Sequence, residues 1–483
     1  MTSRFSGALQ LTNLDDFINP SQECIKPVEI KKSDIKTGSK IKIQEDGYVE
    51  IDEKGDTKQL EKVGITLADC LACSGCITSA ESVLITQQSQ EEILRVFEEK
   101  KNQQHLGEGN TAKHIVVSLS IQPILSLAER YGLEPNEAAL KLAGYFTQLG
   151  ADAILDMTVA EDFALLESAR EFLDRFKSSQ EGAQRQLPML SSSCPGWVCY
   201  AEKTHGNFIL PYISVTKSPQ QIMGSLVKYH YGQMKNLSPE NIYHITVMPC
   251  YDKKLEASRQ DFYNQLKETR DVDCVITTIE IEQMLHQEGL SLQSATLGEI
   301  QRPFDNREQT DYQICSHNGS GSGGYADFIY RYAAEHLFQN HDAELKLKNL
   351  RNPDFQEGVL EKDGKILLRF AIANGFRNIQ NLVQKLKKGK SNYDFVEIMA
   401  CPSGCLNGGA QIKGQSSSQP RELIMKLEEA YHKVPQSNPE ENPVIKDLYK
   451  TWLEGEYSDK SSAFFHTQYH EIEKMSTALN IKW

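Results

Sequence analysis

Four cysteines of this 483-residue chain, Cys194, Cys250, Cys401 and Cys405, each end or follow an apolar run and stand beside Pro or Gly. They lie in Ser191-Ser-Ser-Cys194-Pro-Gly-Trp197, in Met248-Pro-Cys250, and in Met399-Ala-Cys401-Pro-Ser-Gly-Cys405-Leu-Asn-Gly-Gly409. A single free cysteine is most often a small buried hydrophobe. Four at three predicted strand ends form a different pattern, because ligands of open α/β sheets sit outside the carboxyl ends of the strands. Thiolates gathered there suit a bulky inorganic partner, and a cubane iron–sulfur cluster takes four of them. The loop Gly319-Ser-Gly-Ser-Gly-Gly324 could bring backbone N–H groups to such a site, although a phosphate cradle or a plain linker fits that composition equally.

A second set occupies Cys70-Leu-Ala-Cys73-Ser-Gly-Cys76. Three thiols at this spacing match three corners of a cubane in the bacterial ferredoxin run. The fourth cysteine of that run, which serves a second cluster, is Ala80 here. The fourth ligand must therefore come from elsewhere, and Cys24 is the candidate within the first domain. Zinc is the rival, but Cys₄ zinc sites pair two separated C-x₂-C knuckles, and three thiols within seven residues favour a cluster. Cys199, Cys274 and Cys315 have no comparable setting and are expected to be core thiols.

The elements that position these residues follow from hydrophobic period and breakers. Lys40–Ile51 alternates in period two around Asp46-Gly47, a hairpin signal. A charged helix over Glu91–Lys101 and a polar linker over Asn102–Lys113 close a small N-terminal domain, residues 1–105. From His114 the pattern becomes strand–helix alternation. Strands are expected over 115–121, 153–157, 187–190, 243–248, 272–277 and 393–399, and helices over 123–131, 134–149, 161–176, 280–288 and 378–387. Residues 340–375 are more extended, with a turn at Asp363-Gly364. The alternation reads as parallel α/β layers, placed in a first lobe (114–235) and a second lobe (236–410). A helical segment with Pro-rich breaks follows, residues 411–483.

A net charge of −14 argues against a nucleic-acid or anionic-membrane partner. The short basic run Lys385–Lys390 is the one local exception. No stretch approaches the ~18 apolar residues of a membrane span, and Met1–Pro20 lacks the apolar core of a signal peptide. Metal ligation or buried thiols, rather than a disulfide framework, is the expected use of the eleven cysteines.

The three cysteine segments, with Lys253 and Glu256 after the second, resemble the three signature motifs of iron-only hydrogenases. Asp271–Thr278, Gly319–Tyr325 and His466-Thr-Gln-Tyr469-His470 are similar to further segments of that family, so the likeness runs from about Val116 to about Glu473. It implies a small ferredoxin-like N-terminal cluster domain, two parallel α/β lobes of hydrogenase type and a helical small-subunit-like segment. It also implies a cubane on Cys194, Cys250, Cys401 and Cys405, with the position of Cys405 bridging to a two-iron catalytic group. One departure bears on activity: where the hydrogenases carry a proton-relaying cysteine, this chain has Ser193, whose hydroxyl is far less acidic.

Ser193, the single N-terminal cluster loop and Cys24 resemble the eukaryotic hydrogenase-like branch, the nuclear prelamin A recognition factor family of cytosolic iron–sulfur assembly proteins. That resemblance implies two [4Fe-4S] clusters, no hydrogenase activity, and a cytosolic role. Members link a P-loop NTPase scaffold, where clusters are made, to the targeting complex that inserts them into cytosolic and nuclear apoproteins. The tail Asn480-Ile481-Lys482-Trp483 is similar to the short aromatic-ended tails that dock to the targeting complex, with Ile481 and Trp483 as anchors. By itself a terminal indole and carboxylate make a compact peptide ligand, and a tail packed on its own domain fits equally. An iron-only hydrogenase or related electron-transfer enzyme is the alternative function, and a zinc-stabilised scaffold the third.

Overall fold

The computed structural model describes residues 40–44, 47–51, 57–59, 79–106, 112–182, 186–305, 307, 312–350, 352–413 and 420–472. Cys24, Cys70, Cys73, Cys76, Ile481 and Trp483 lie outside them. The chain forms two compact units, residues 1–83 with 474–483, and residues 84–473. In the first unit, β1 (Lys40–Gln44), β2 (Gly47–Ile51) and β3 (Thr57–Gln59) make an antiparallel sheet in that order. The expected hairpin is β1–β2, with Gln44 paired to Gly47 and Lys40 to Ile51.

The second unit contains two larger sheets. One is wholly parallel, in the order β10-β7-β4-β5, from β4 (His114–Leu119), β5 (Ala153–Asp156), β7 (Ile242–Met248) and β10 (Cys274–Thr277). The other runs β11-β12-β13-β14-β6, from β6 (Met189–Ser191), β11 (Lys348–Asn349), β12 (Phe355–Lys362), β13 (Lys365–Asn374) and β14 (Phe395–Met399). Here β13, β14 and β6 are parallel, while β11, β12 and β13 are antiparallel. A two-residue ribbon, β8 (Tyr263–Asn264) with β9 (Thr269–Arg270), stands apart. The sheets interleave along the chain: β6 joins the five-stranded sheet, whereas β7 and β10 return to the four-stranded one. A boundary near residue 235 therefore does not divide them. Parallel strands need long crossovers, and the helix Thr158–Gln180 leads from β5 to β6 in the other sheet.

Strands covered on both faces read as continuous apolar runs rather than alternating ones. Along β4, Ile115, Val117 and Leu119 enter one core, with the helices Ile121–Tyr131, Pro135–Leu149 and Thr278–Gln287. Val116 enters the other, with the helix Thr158–Gln180. Phe172 of that helix meets Phe370 and Phe395 edge-on, at centroid distances of 5.3 and 5.8 Å, and so covers the second sheet. The C-terminal helices join the same core: Tyr449 and Phe465 lie 5.0 and 4.6 Å from Phe163. The expected helices are present within a few residues. The further helices Pro195–Thr204, Pro219–Ser225, Asp252–Ser258 and Tyr325–Phe338 carry little periodic signal, most of them being short or starting at Pro or Gly breakers.

Candidate metal centre

Each of the four cysteines lies just beyond a parallel strand. Cys194 follows β6 and caps the helix Pro195–Thr204, where Pro195 fits the first turn because no N–H is needed there. Its own N–H donates to Ser192 Oγ at 3.0 Å, and its Sγ accepts from Ala400 N–H at 3.4 Å. The ends of β6 and β14 are thereby tied through the thiol itself. Cys250 follows β7 from the other sheet. Gly196 lets the two segments approach, since a Cβ there would sit 2.9 Å from Asp252 Oδ2 and 3.4 Å from Ala400 Cβ.

Cys401 and Cys405 leave β14 through a tight turn in which Ser403 (φ 59°) and Gly404 (φ 74°) are left-handed. At Gly404 a side chain would also run into Ser322 Oγ. That hydroxyl accepts from Cys405 N–H at 2.9 Å, and Cys405 Sγ is 3.8 Å from Met399 Sδ. The glycine loop is thus a support for the Cys405 turn. Glu397, buried in the middle of β14, holds the loop in turn, accepting from Ser320 Oγ at 2.5 Å and from Ala326 N–H at 2.8 Å. Burial raises its carboxyl pKa, against the pull of those two donors. A lone glutamate in the run Phe-Val-Glu-Ile-Met was the available signal for this role.

Electrostatics places the thiols together. Burial raises the Cys250 pKa well above that of a free thiol, and Asp252, Cys194, Cys401 and Cys405 push it further the same way. Burial raises Cys194 and Cys401 likewise, and pushes Cys405 up to about 12 despite the Ser322 hydrogen bond and the Lys253 charge. Four mutually repelling thiolates in low dielectric need a cationic core to ionise. Among the described residues no three Cys, His, Asp or Glu side chains are gathered to hold one ion. Thiols that share one field suit a multi-iron group, in which each thiolate binds its own iron.

A cavity of about 40 Å³ adjoins Cys405, and its lining includes Glu161, Ser193, Met248, Lys253 and Tyr325. That is room for about two or three waters. Lys253 Nζ is held by Ser218 Oγ at 3.1 Å and Glu256 Oε2 at 2.9 Å, and Glu256 also accepts from Gln220 and Ser218. Lys253 and Glu256 are therefore anchored to each other beside the cysteines. Of the remaining thiols, Cys274 is buried in β10 as expected. Cys199 and Cys315 are only half-buried: Cys199 faces a cavity of about 30 Å³ shared with Cys194, and Cys315 lines an open pocket of about 370 Å³. The buried group Glu161, Asp162 and His317 had no sequence signal, because His317 lies 155 or more positions from the adjacent pair Glu161 and Asp162 and comes from an unrelated segment.

A two-sheet α/β unit, one sheet parallel and one mixed, with four cysteines presented at three parallel strand ends, defines a hydrogenase-type fold. The model of the iron-only hydrogenase large subunit, C-terminal domain, matches residues 113–409, and that of the iron hydrogenase small subunit matches 424–472. The chain belongs to the iron-only hydrogenase family. It is 58% identical over 483 residues to a probable cytosolic Fe-S cluster assembly factor of Drosophila willistoni, with both chains fully covered. A protein of Aedes aegypti with the same description is 56% identical over 484 residues, again with full coverage of both. Among solved structures, an [FeFe]-hydrogenase variant from Chlamydomonas reinhardtii superposes with a TM-score of 0.67 at 28% identity, covering 79% of this chain and 98% of its own. Among the described residues no helix is long and apolar enough to cross a membrane.

Proposed function

We propose that the chain is a non-catalytic component of the cytosolic iron–sulfur protein assembly machinery. In this reading Cys194, Cys250, Cys401 and Cys405 hold one [4Fe-4S] cluster, and Cys24, Cys70, Cys73 and Cys76 hold a second. The description shared by the full-length insect relatives supports the assembly role. The observation that carries the non-catalytic part is Ser193, which lines the cavity beside Cys405 at the position where hydrogenases carry a proton-relaying cysteine. With a hydroxyl in place of that thiol, no comparably acidic relay group stands at this position, and Cys405 serves as a fourth ligand rather than a bridge. The buried cluster is retained and slow to leave, while the N-terminal one is the exchangeable group. The protein links the P-loop NTPase scaffold to the targeting complex, which it engages through Ile481 and Trp483.

The test is anaerobic reconstitution followed by iron and sulfide analysis, EPR and a hydrogen-evolution assay. About eight irons per chain and no hydrogen are expected. Measurable hydrogen turnover would establish the alternative enzyme, and zinc in place of iron and sulfide would establish the scaffold. Mild oxidation of the wild type should bleach the EPR signal that Cys73→Ala removes before the one that Cys250→Ala removes. Simultaneous loss would contradict the division of roles. Deleting Trp483 should abolish pull-down of the targeting complex while leaving the iron content unchanged.

A further inference from the structure

Glu161 lines the cavity beside Cys405, and behind it a file of buried polar groups runs away from the cysteines. His317 Nδ1 lies 3.5 Å from Glu161 Oε2 and has no hydrogen-bond partner, although the ring is almost fully buried. On the other side of the ring, Nε2 is 2.6 Å from Asp162 Oδ1. Asp162 Oδ2 accepts from Ser437 Oγ at 3.1 Å and from Asn442 Nδ2 at 2.6 Å. Ser437 and Asn442 are part-exposed and line the open pocket of about 370 Å³. One file of groups therefore joins the cysteine cavity to solvent, through residues the cluster ligands do not include. Resting on the proposed buried cluster, we propose that Glu161, His317 and Asp162 form a proton relay that neutralises electron uptake at the Cys194–Cys250–Cys401–Cys405 site.

The charge balance is simple. One electron arrives from a one-electron donor protein, and one proton from water enters at Ser437. Asp162 and His317 pass the proton from Nε2 to Nδ1, and Glu161 carboxylate ends as the carboxylic acid. An added negative charge in low dielectric is costly unless such compensation occurs. The surroundings are set for it. Burial, with Asp162 and Asp156, raises Glu161 to about 7 in spite of His317. Burial disfavours the charged ring of His317, but the Asp162 hydrogen bond and the charges of Asp162 and Glu161 outweigh it and raise its pKa. The other titratable groups facing Glu161 are Tyr325, Tyr431 and Cys315, all held protonated by burial, with Lys253 on the far cavity wall.

The test is an anaerobic redox titration of the reconstituted full chain followed by EPR at several pH values, with infrared difference spectra. Above about pH 7 the reduction equilibrium of the buried cluster should weaken by up to tenfold per pH unit, because each reduction takes up one proton. Reduction at pH 8 should also create a protonated-carboxyl C=O band. Glu161→Gln should remove both the band and the slope, and Ser437→Ala should slow the proton-coupled step without altering the equilibrium. A cluster that is present but titrates independently of pH, with no carboxyl band in the wild type, overturns the relay. A chain in which Cys250→Ala changes neither iron nor sulfide overturns the underlying site as well.

Discussion

The two sheets of the second unit contribute unequally to the proposed cluster site. The four-stranded sheet is parallel throughout and supplies Cys250 alone. The five-stranded sheet supplies Cys194, Cys401 and Cys405, and carries an antiparallel hairpin on its far side. Cys194 is tied by hydrogen bonds to Ser192 and Ala400, and Cys405 to Ser322, whereas Cys250 comes from the other sheet, with Gly196 permitting the close approach of Asp252. In the proposed cluster site the difference separates two tasks: one sheet builds a three-thiol platform, and the other closes it.

Removing Cys250, the proposed closing ligand, has the largest expected effect. Cys250→Ala should cost roughly four irons per chain while the apo-fold persists, as iron and sulfide analysis with circular dichroism will show. Retention of all iron would mean that the five-stranded platform binds its cluster without the other sheet. Next, Gly404→Val should destabilise the platform by about 3–5 kcal/mol, combining a positive φ with a collision at Ser322. Denaturant titration of the apoprotein measures this, and a loss below about 1 kcal/mol would mean the turn relaxes freely.

Two buried groups titrate in opposite directions. His244 on β7 is fully buried beside Ser118 Oγ and the Asp271 carbonyl, and burial lowers its pKa from 6.5 to about 3. The unfolded chain protonates this histidine first, so its contribution to stability is complete above pH 6.5 and is lost as pH falls toward 3. Between pH 7 and 4.5 the loss should be up to about 2–3 kcal/mol, and His244→Asn should flatten it. Glu161 has a folded pKa of about 7 against an ordinary 4.5. Here the folded state holds the proton more tightly, so stability falls as pH rises from 4.5 to 7. Glu161→Gln should therefore stabilise the fold more at pH 8 than at pH 5, by on the order of 1–3 kcal/mol, read as a larger gain in Tm. Equal Tm gains at both pH values would show that the carboxyl ionises as freely as in water. Smallest of all, Ile366→Thr on the exposed hairpin should change stability by less than about 0.5 kcal/mol.

Much of this was legible in the chain. The apolar runs before Cys194, Cys250 and Cys401 are strands, since buried parallel strands need no alternation, and the Asp363-Gly364 turn does join β12 to β13. The lobe boundary was not legible, because β6 has only three residues and nothing in Met-Leu-Ser names its neighbour. Its pairing with β14 is set by the long crossover and by Phe172 packing on Phe395. Nor could short-range pattern reveal that Glu397 supports the glycine loop, or that His317 faces Asp162.

Residue type and spacing determined by themselves which thiols could ligate and that strand ends would present them, because those properties are local. The tertiary structure decided which strands share a sheet, which side chains line the cavity beside Cys405, and which carboxylates lose their water. Each of those depends on atoms far apart in the chain meeting in low dielectric, where separation in space, not in sequence, sets the energy.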